Sequence, residues 1–359
     1  MAERFLLVRC RICTGKPAAS GFFWGAKDSV NRRVVPVTLV GLALTSGFAT
    51  GGSGLNEKGG PSAPEEGPPT ITIPAYASAP PQLARFWSAS VKAPLVVDLH
   101  QWSTDQSGFD GDDVRFDLEI RKLGWNFVRP ALAGKNNNTH ACCSAEVLDG
   151  ILASIQFADA QGKLDKSAIY IVGVSGGGYT TLCAYMSGKV HARAMLAWAS
   201  ITDLAAWHTQ HSGDQYGKDV ESCTGSSAGK LDLQECTKRS PLTMGNGQPD
   251  TPVYIFAGIH DGFTGSVPIT HSVRLFNRLA DLYGSPGQKV DDATLIEMLD
   301  RRVGPDSTKG KKIGGRLVHL ERSAGGAHLT IFEGGHEMLT HATIPILIRD
   351  YESIRSSKY

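Results

Sequence analysis

Apolar residues along the chain fall into short runs bounded by glycine, proline and polar turns, and these runs alternate with longer stretches of helical period. The runs at 95–99, 125–129, 169–174, 194–198, 253–258 and 328–332 predict strands. Helices are predicted over 114–123, from a Ser144 cap through 160, and over 179–189, 267–283 and 341–353. Alternation of this kind implies a mostly parallel sheet with helices on both faces, and the 70–76 region adds antiparallel edge strands. Two stretches interrupt the alternation, at 204–242 and 284–326, and are expected to be insertions.

The run Ile169-Tyr170-Ile171-Val172-Gly173-Val174 stops at Ser175, which is followed by Gly176-Gly177-Gly178 and a helical stretch. A serine hydroxyl is a poor nucleophile unless a strained turn presents it beside a base, and Gly173 and Gly177 leave room on both sides of such a turn. The strand-turn-helix context, more than the Gly-x-Ser-x-Gly spacing, nominates Ser175. A serine nucleophile needs a base and an acid that orients the base. The buried-strand pattern of 253–258 runs into Ile259-His260-Asp261-Gly262, and the run 328–332 into Glu333-Gly334-Gly335-His336-Glu337. Both segments follow strand ends, where catalytic groups of open parallel sheets collect, so Asp261 and His336 are candidates for acid and base. Asp203, after the strand 194–198, is the alternative acid.

Four segments together resemble an α/β-hydrolase of the prolyl oligopeptidase and dienelactone-hydrolase-like group: Pro94–Trp102, Gly173–Tyr179, Gly258–Asn277 and Glu333–Glu337. The resemblance frames most of residues 90–350. It implies the α/β-hydrolase fold and a triad in the order Ser175, Asp261, His336. It also implies an oxyanion hole made by the backbone N–H groups of Trp102 and Gly176, and catalysis without cofactor or metal. The chain departs from the family pattern at Gln101, where the family has glycine. The first substrate expectation is a carboxylic ester cleaved through an acyl-enzyme. A short peptide is the runner-up, with few residues ahead of the hydrolase region to form the β-propeller of large prolyl oligopeptidases. A non-catalytic binding protein of the same fold is the third reading, disfavoured by the intact Ser, Asp and His. His100, Trp102 and Trp207 are candidates to touch substrate. The resemblance makes the insertion at 204–242 a small lid, and with His208 and Tyr216 the two tryptophans serve equally well as its packed interior.

Charge and composition narrow the partners. Lys+Arg 36 against Asp+Glu 35 leaves no electrostatic footprint for nucleic acid. At the N-terminus, Asn31-Arg32-Arg33 precedes an apolar stretch ending in Gly47-Phe48-Ala49, the layout of a signal peptide over about 30–49. The stretch is short for a membrane span, so export without a stable span is expected, with synthesis starting near Val30 and residues 1–49 outside the fold. Residues 50–69, rich in glycine and proline, read as a flexible linker to a catalytic domain at 70–359. Of seven cysteines, Cys223 and Cys236 flank a polar segment and are the expected disulfide. Cys142 and Cys143 are adjacent, leaving one to pair with Cys183 or all three free. The Cys and His spacings fit no zinc site.

Overall fold

Alternate residues of the central strands feed two different cores, which is why these strands are apolar along their whole length. In β3 (Ala93–Leu99), Leu95, Val97 and Leu99 enter one core and Val96 the other. The same split recurs in β5 (Leu164–Val174), β6 (Ala194–Trp198) and β7 (Val253–Gly258). The computed structural model describes residues 67–108, 115–226, 230–300 and 310–356. The expected export segment, and the linker up to residue 66, lie outside the described residues.

The remaining strands are β1 (Thr70–Ile73), β2 (Gln82–Trp87), β4 (Asn126–Pro130), β8 (Lys312–Ile313), β9 (Arg316–Ala324) and β10 (Ala327–Phe332). They form one sheet in the order β1-β2-β4-β3-β5-β6-β7-β10-β9-β8. From β4 through β10 every pairing is parallel; β1, β2, β9 and β8 extend the edges antiparallel. The helices are α1 (Phe116–Lys122), α2 (Ala145–Ala160), α3 (Gly176–Ser187), α4 (Leu204–Gln210), α5 (Gln215–Cys223), α6 (Leu233–Lys238), α7 (Ile269–Leu282), α8 (Asp292–Leu299) and α9 (Thr340–Ser356). Residues of α2, α3 and α7 pack into one core and residues of α1 and α9 into the other, so helices cover both faces. This is the α/β-hydrolase arrangement. Ser144 caps α2 as expected, its side chain accepting from the Val147 N–H.

Several expectations are corrected. Residues 284–326 are not an insertion throughout, because β9 pairs with β10 along the main sheet. The linker ends before 68: the Pro69 carbonyl accepts from Phe86 N–H and the Pro68 carbonyl from Arg85 Nη1, which dock both prolines on β2. Cys223 does not pair with Cys236. Cys142 bonds Cys223 and Cys143 bonds Cys183, with Cα–Cα separations of 6.0 and 5.8 Å, while Cys236 is a buried free thiol. Sequence proximity misleads here, because α5 and α6 fold back onto the turn before α2. Arg239 Nη1 ties the same region down, donating to the carbonyls of Thr139 and Ala141 at 3.0 Å each.

Candidate active site

Three loops leave the carboxyl ends of β5, β7 and β10, and they carry Ser175, Asp261 and His336. Ser175 has φ 59° and ψ −119°, a strained conformation for a residue with a Cβ. Its N–H donates to the Trp198 carbonyl at 2.9 Å, which pins the turn to β6. The turn is possible because its neighbours lack side chains. A Cβ on Gly177 would overlap the Leu99 carbonyl, and one on Gly176 would overlap the Trp102 backbone. Packing, not propensity, therefore starts α3 at Gly176, three residues earlier than the helical period suggests.

That contact sets Trp102 and Gly176 backbone to backbone beside the nucleophile. Neither N–H has an acceptor among the described residues, and the Gly176 N–H opens α3, where the helix dipole favours negative charge. Gln101 stands in this turn without preventing the approach.

His336 Nδ1 donates to Asp261 Oδ2 at 2.8 Å. Asp261 has a fully buried carboxylate, and its second oxygen accepts the N–H groups of Gly262 and Val267 at 2.9 and 3.0 Å. These bonds fix the carboxylate and leave His336 Nε2 free of the proton that Nδ1 carries. Asp203, the alternative acid, caps α4 by accepting the Ala206 N–H at 3.1 Å and makes no bond to His336. Ser175 and His336 are not hydrogen-bonded to each other. His336 Nε2 lies 3.5 Å from the hydroxyl of Ser266, a residue that no sequence signal singled out.

The expected aromatic substrate contacts are corrected. Trp102 and Trp207 are buried with ring centroids 4.6 Å apart, and Trp102 also packs on Tyr179 at 5.6 Å. The Trp102 indole N–H donates to Asp219 and that of Trp207 to the Ser266 carbonyl. His100 is buried between the carbonyls of Gln101 and Ala131, and burial lowers its pKa. These side chains pack in the interior rather than line an open cleft. Among the described residues no cluster of side chains is arranged to hold a metal ion, and no helix is long and apolar enough to cross a membrane.

Residues 142–297, which contain Ser175 and Asp261, match the prolyl oligopeptidase family. No curated protein sequence matches the chain. Among solved structures, an acylaminoacyl peptidase in complex with Z-Gly-Gly-Phe-chloromethyl ketone is 15% identical with a TM-score of 0.52, covering 81% of this chain and 41% of its own. A puromycin hydrolase is 14% identical with a TM-score of 0.52, covering 79% of this chain and 37% of its own. The chain thus spans about two fifths of the length of these structures. At such identities the likeness is one of fold. With the match over 142–297, the chain has the α/β-hydrolase fold and a central segment similar to the prolyl oligopeptidase family.

Proposed function

We propose that the protein is a serine peptidase acting on short peptides, with Ser175 as nucleophile, His336 as base and Asp261 as orienting acid. The observation that carries the triad is the 2.8 Å bond from His336 Nδ1 to a buried carboxylate, at the same carboxyl edge of the sheet as a serine held in a strained turn. The match of 142–297 to a peptidase family favours peptides over the esters first expected.

In this reading His336 Nε2 turns from Ser266 to Ser175 and takes its proton as Oγ attacks the carbonyl carbon. The imidazolium so formed is stabilised by Asp261. The N–H groups of Trp102 and Gly176 receive the negative charge of the tetrahedral intermediate, and losing one such donor typically costs ~10²–10³ in rate. His336 then protonates the leaving amine, and water releases the acyl group. Export is part of the proposal, supported by the charged-then-apolar segment at 30–49 and by two disulfides, which persist in oxidising compartments.

A fluorophosphonate probe, followed by peptide mapping, tests the nucleophile: the label belongs on Ser175, and equal labelling of Ser175→Ala rejects the triad. Gly-Pro and Ala-Ala amides assayed beside p-nitrophenyl esters test the substrate class. Turnover of esters with none of the amides returns the assignment to an esterase.

A further inference from the structure

The loop 261–267 forms a wall around the Asp261–His336 pair. Asp261 accepts from its Val267 N–H, Gly265 has no room for a Cβ against the Asp261 carboxylate and His336 Cβ, and Ser266 Oγ faces His336 Nε2. The outer side of this wall is held by the helical segment α4–α5 through one atom. The Ser266 carbonyl accepts the indole N–H of Trp207 at 2.8 Å and His211 Nε2 at 2.8 Å.

His211 is bonded at its other end too. Nδ1 lies 2.6 Å from Asp214 Oδ2, while Asp214 Oδ1 caps α5 by accepting from Tyr216 and Gly217. Burial acts to raise the Asp214 pKa, but the bonds from His211 and the cap outweigh it and hold the carboxyl below its ordinary range. An ionised carboxylate and a peptide carbonyl both only accept, so both bonds at full strength require N–H at both ring nitrogens, the imidazolium. His100 also lies between two acceptors, yet no carboxylate bonds it. The His211 side chain is only 11% exposed, and its ring packs on Trp207 and Tyr216 at 5.1 and 5.2 Å.

We propose that His211, as an imidazolium bridging Asp214 and the Ser266 carbonyl, is a positioning residue that clasps α4–α5 onto the loop holding Asp261 and His336. The proposal rests on the triad assigned above. The clasp acts on the base through Ser266 and touches no substrate. Beyond Asp214, the titratable groups near it are Tyr216, on which its ring packs, and His271 on α7, whose pKa burial lowers to about 4.

The test uses the full chain and two variants. His211→Phe keeps the ring packing and removes both bonds, and Asp214→Asn removes the carboxylate while keeping a helix cap. The rate of fluorophosphonate labelling at Ser175 is measured against probe concentration, beside amide exchange of residues 204–223. His211→Phe should label about tenfold more slowly at saturating probe, the scale of a small misplacement of the base, with the half-saturating concentration unchanged. Asp214→Asn should fall between the two, and exchange of 204–223 should be faster in His211→Phe than in the wild type. A His211→Phe variant that labels at the wild-type rate at saturation overturns the clasp, even if the variant melts lower. Should Ser175 prove unreactive, the triad reading fails separately, and unchanged exchange in His211→Phe would then overturn the clasp on its own.

Discussion

The residue scale is where charge and hydrogen bonding assign roles. Asp261 and Asp203 both follow parallel strands, yet one carboxylate is buried against His336 and the other caps a helix. Replacing an orienting acid by its amide favours the wrong histidine tautomer, which costs ~10⁴ in turnover in a well-studied triad protease. Asp261→Asn should therefore lose most activity while keeping its circular dichroism, whereas Asp203→Asn should turn over near wild type, since asparagine caps helices as well as aspartate. Steady-state hydrolysis by the two purified variants decides between them. His271 gives a second residue-scale prediction. Its Nδ1 accepts the N–H groups of Thr202 and Asp203 at 3.1 and 3.3 Å, and burial lowers its pKa from 6.5 to about 4. The unfolded chain binds a proton on this ring at higher pH than the folded one does, so its contribution is present above about pH 6.5 and is lost as pH falls towards 4. The loss amounts to about 3 kcal/mol. His271→Asn, which keeps an acceptor near the same place, removes that slope. Urea unfolding at pH 7 and pH 4 should show the stability gap between wild type and variant shrinking or reversing by about that amount, and a constant gap would contradict the burial argument.

At the scale of elements, the two disulfides and the free thiol make the sharpest claim. The Cys142–Cys223 bond ties α5 to the turn before α2 across a sequence separation of 81, and on the chain-entropy model such a loop contributes about 4 kcal/mol. Peptide mapping of protein from the native host's extracellular or periplasmic fraction should recover Cys142–Cys223 and Cys143–Cys183 and an unpaired Cys236. The same maps should begin near Thr50 if the export reading holds. Burial pushes the Cys236 thiol up to about 11, so it should alkylate only after unfolding. Recovery of a Cys223–Cys236 peptide would instead restore the pairing expected from sequence. The boundaries of α3 make a related point. Three successive glycines disfavour a helix start on propensity, but the approach of Trp102, Leu99 and Ser200 leaves no space for anything larger.

At the scale of the whole molecule, an ion pair lies inside the sheet. Arg129 on β4 holds Asp98 on β3, with Nε 3.0 Å from Oδ2, and both side chains are nearly inaccessible. Two charges taken out of water are tolerated only because each satisfies the other, and stripping one partner typically costs 3–5 kcal/mol. Arg129→Met should lower stability by about that amount. Combining it with Asp98→Leu should recover much of the loss, because the buried charge goes as well. Chemical denaturation of the two variants checks this, and additive losses would show that the pair is not coupled.

The sequence by itself determined the alternation of strands and helices, because burial on both faces demands unbroken apolar runs and these are visible without a structure. It also determined the serine turn, since glycines around a serine after such a run have few other uses. Ser144 as a cap was legible for the same local reason. Which carboxylate meets His336, which cysteines bond, and whether Trp102 and Trp207 face solvent or one another were decided only by the tertiary structure. These are matters of contact between segments far apart in the chain, and periodicity carries no information about them. β9 escaped notice because Arg322, Glu321 and Ser323 dilute its apolar run at the sheet edge, where one face is free to be polar. Ser266 and His211 escaped because each acts through hydrogen bonds whose partners are chosen by the fold.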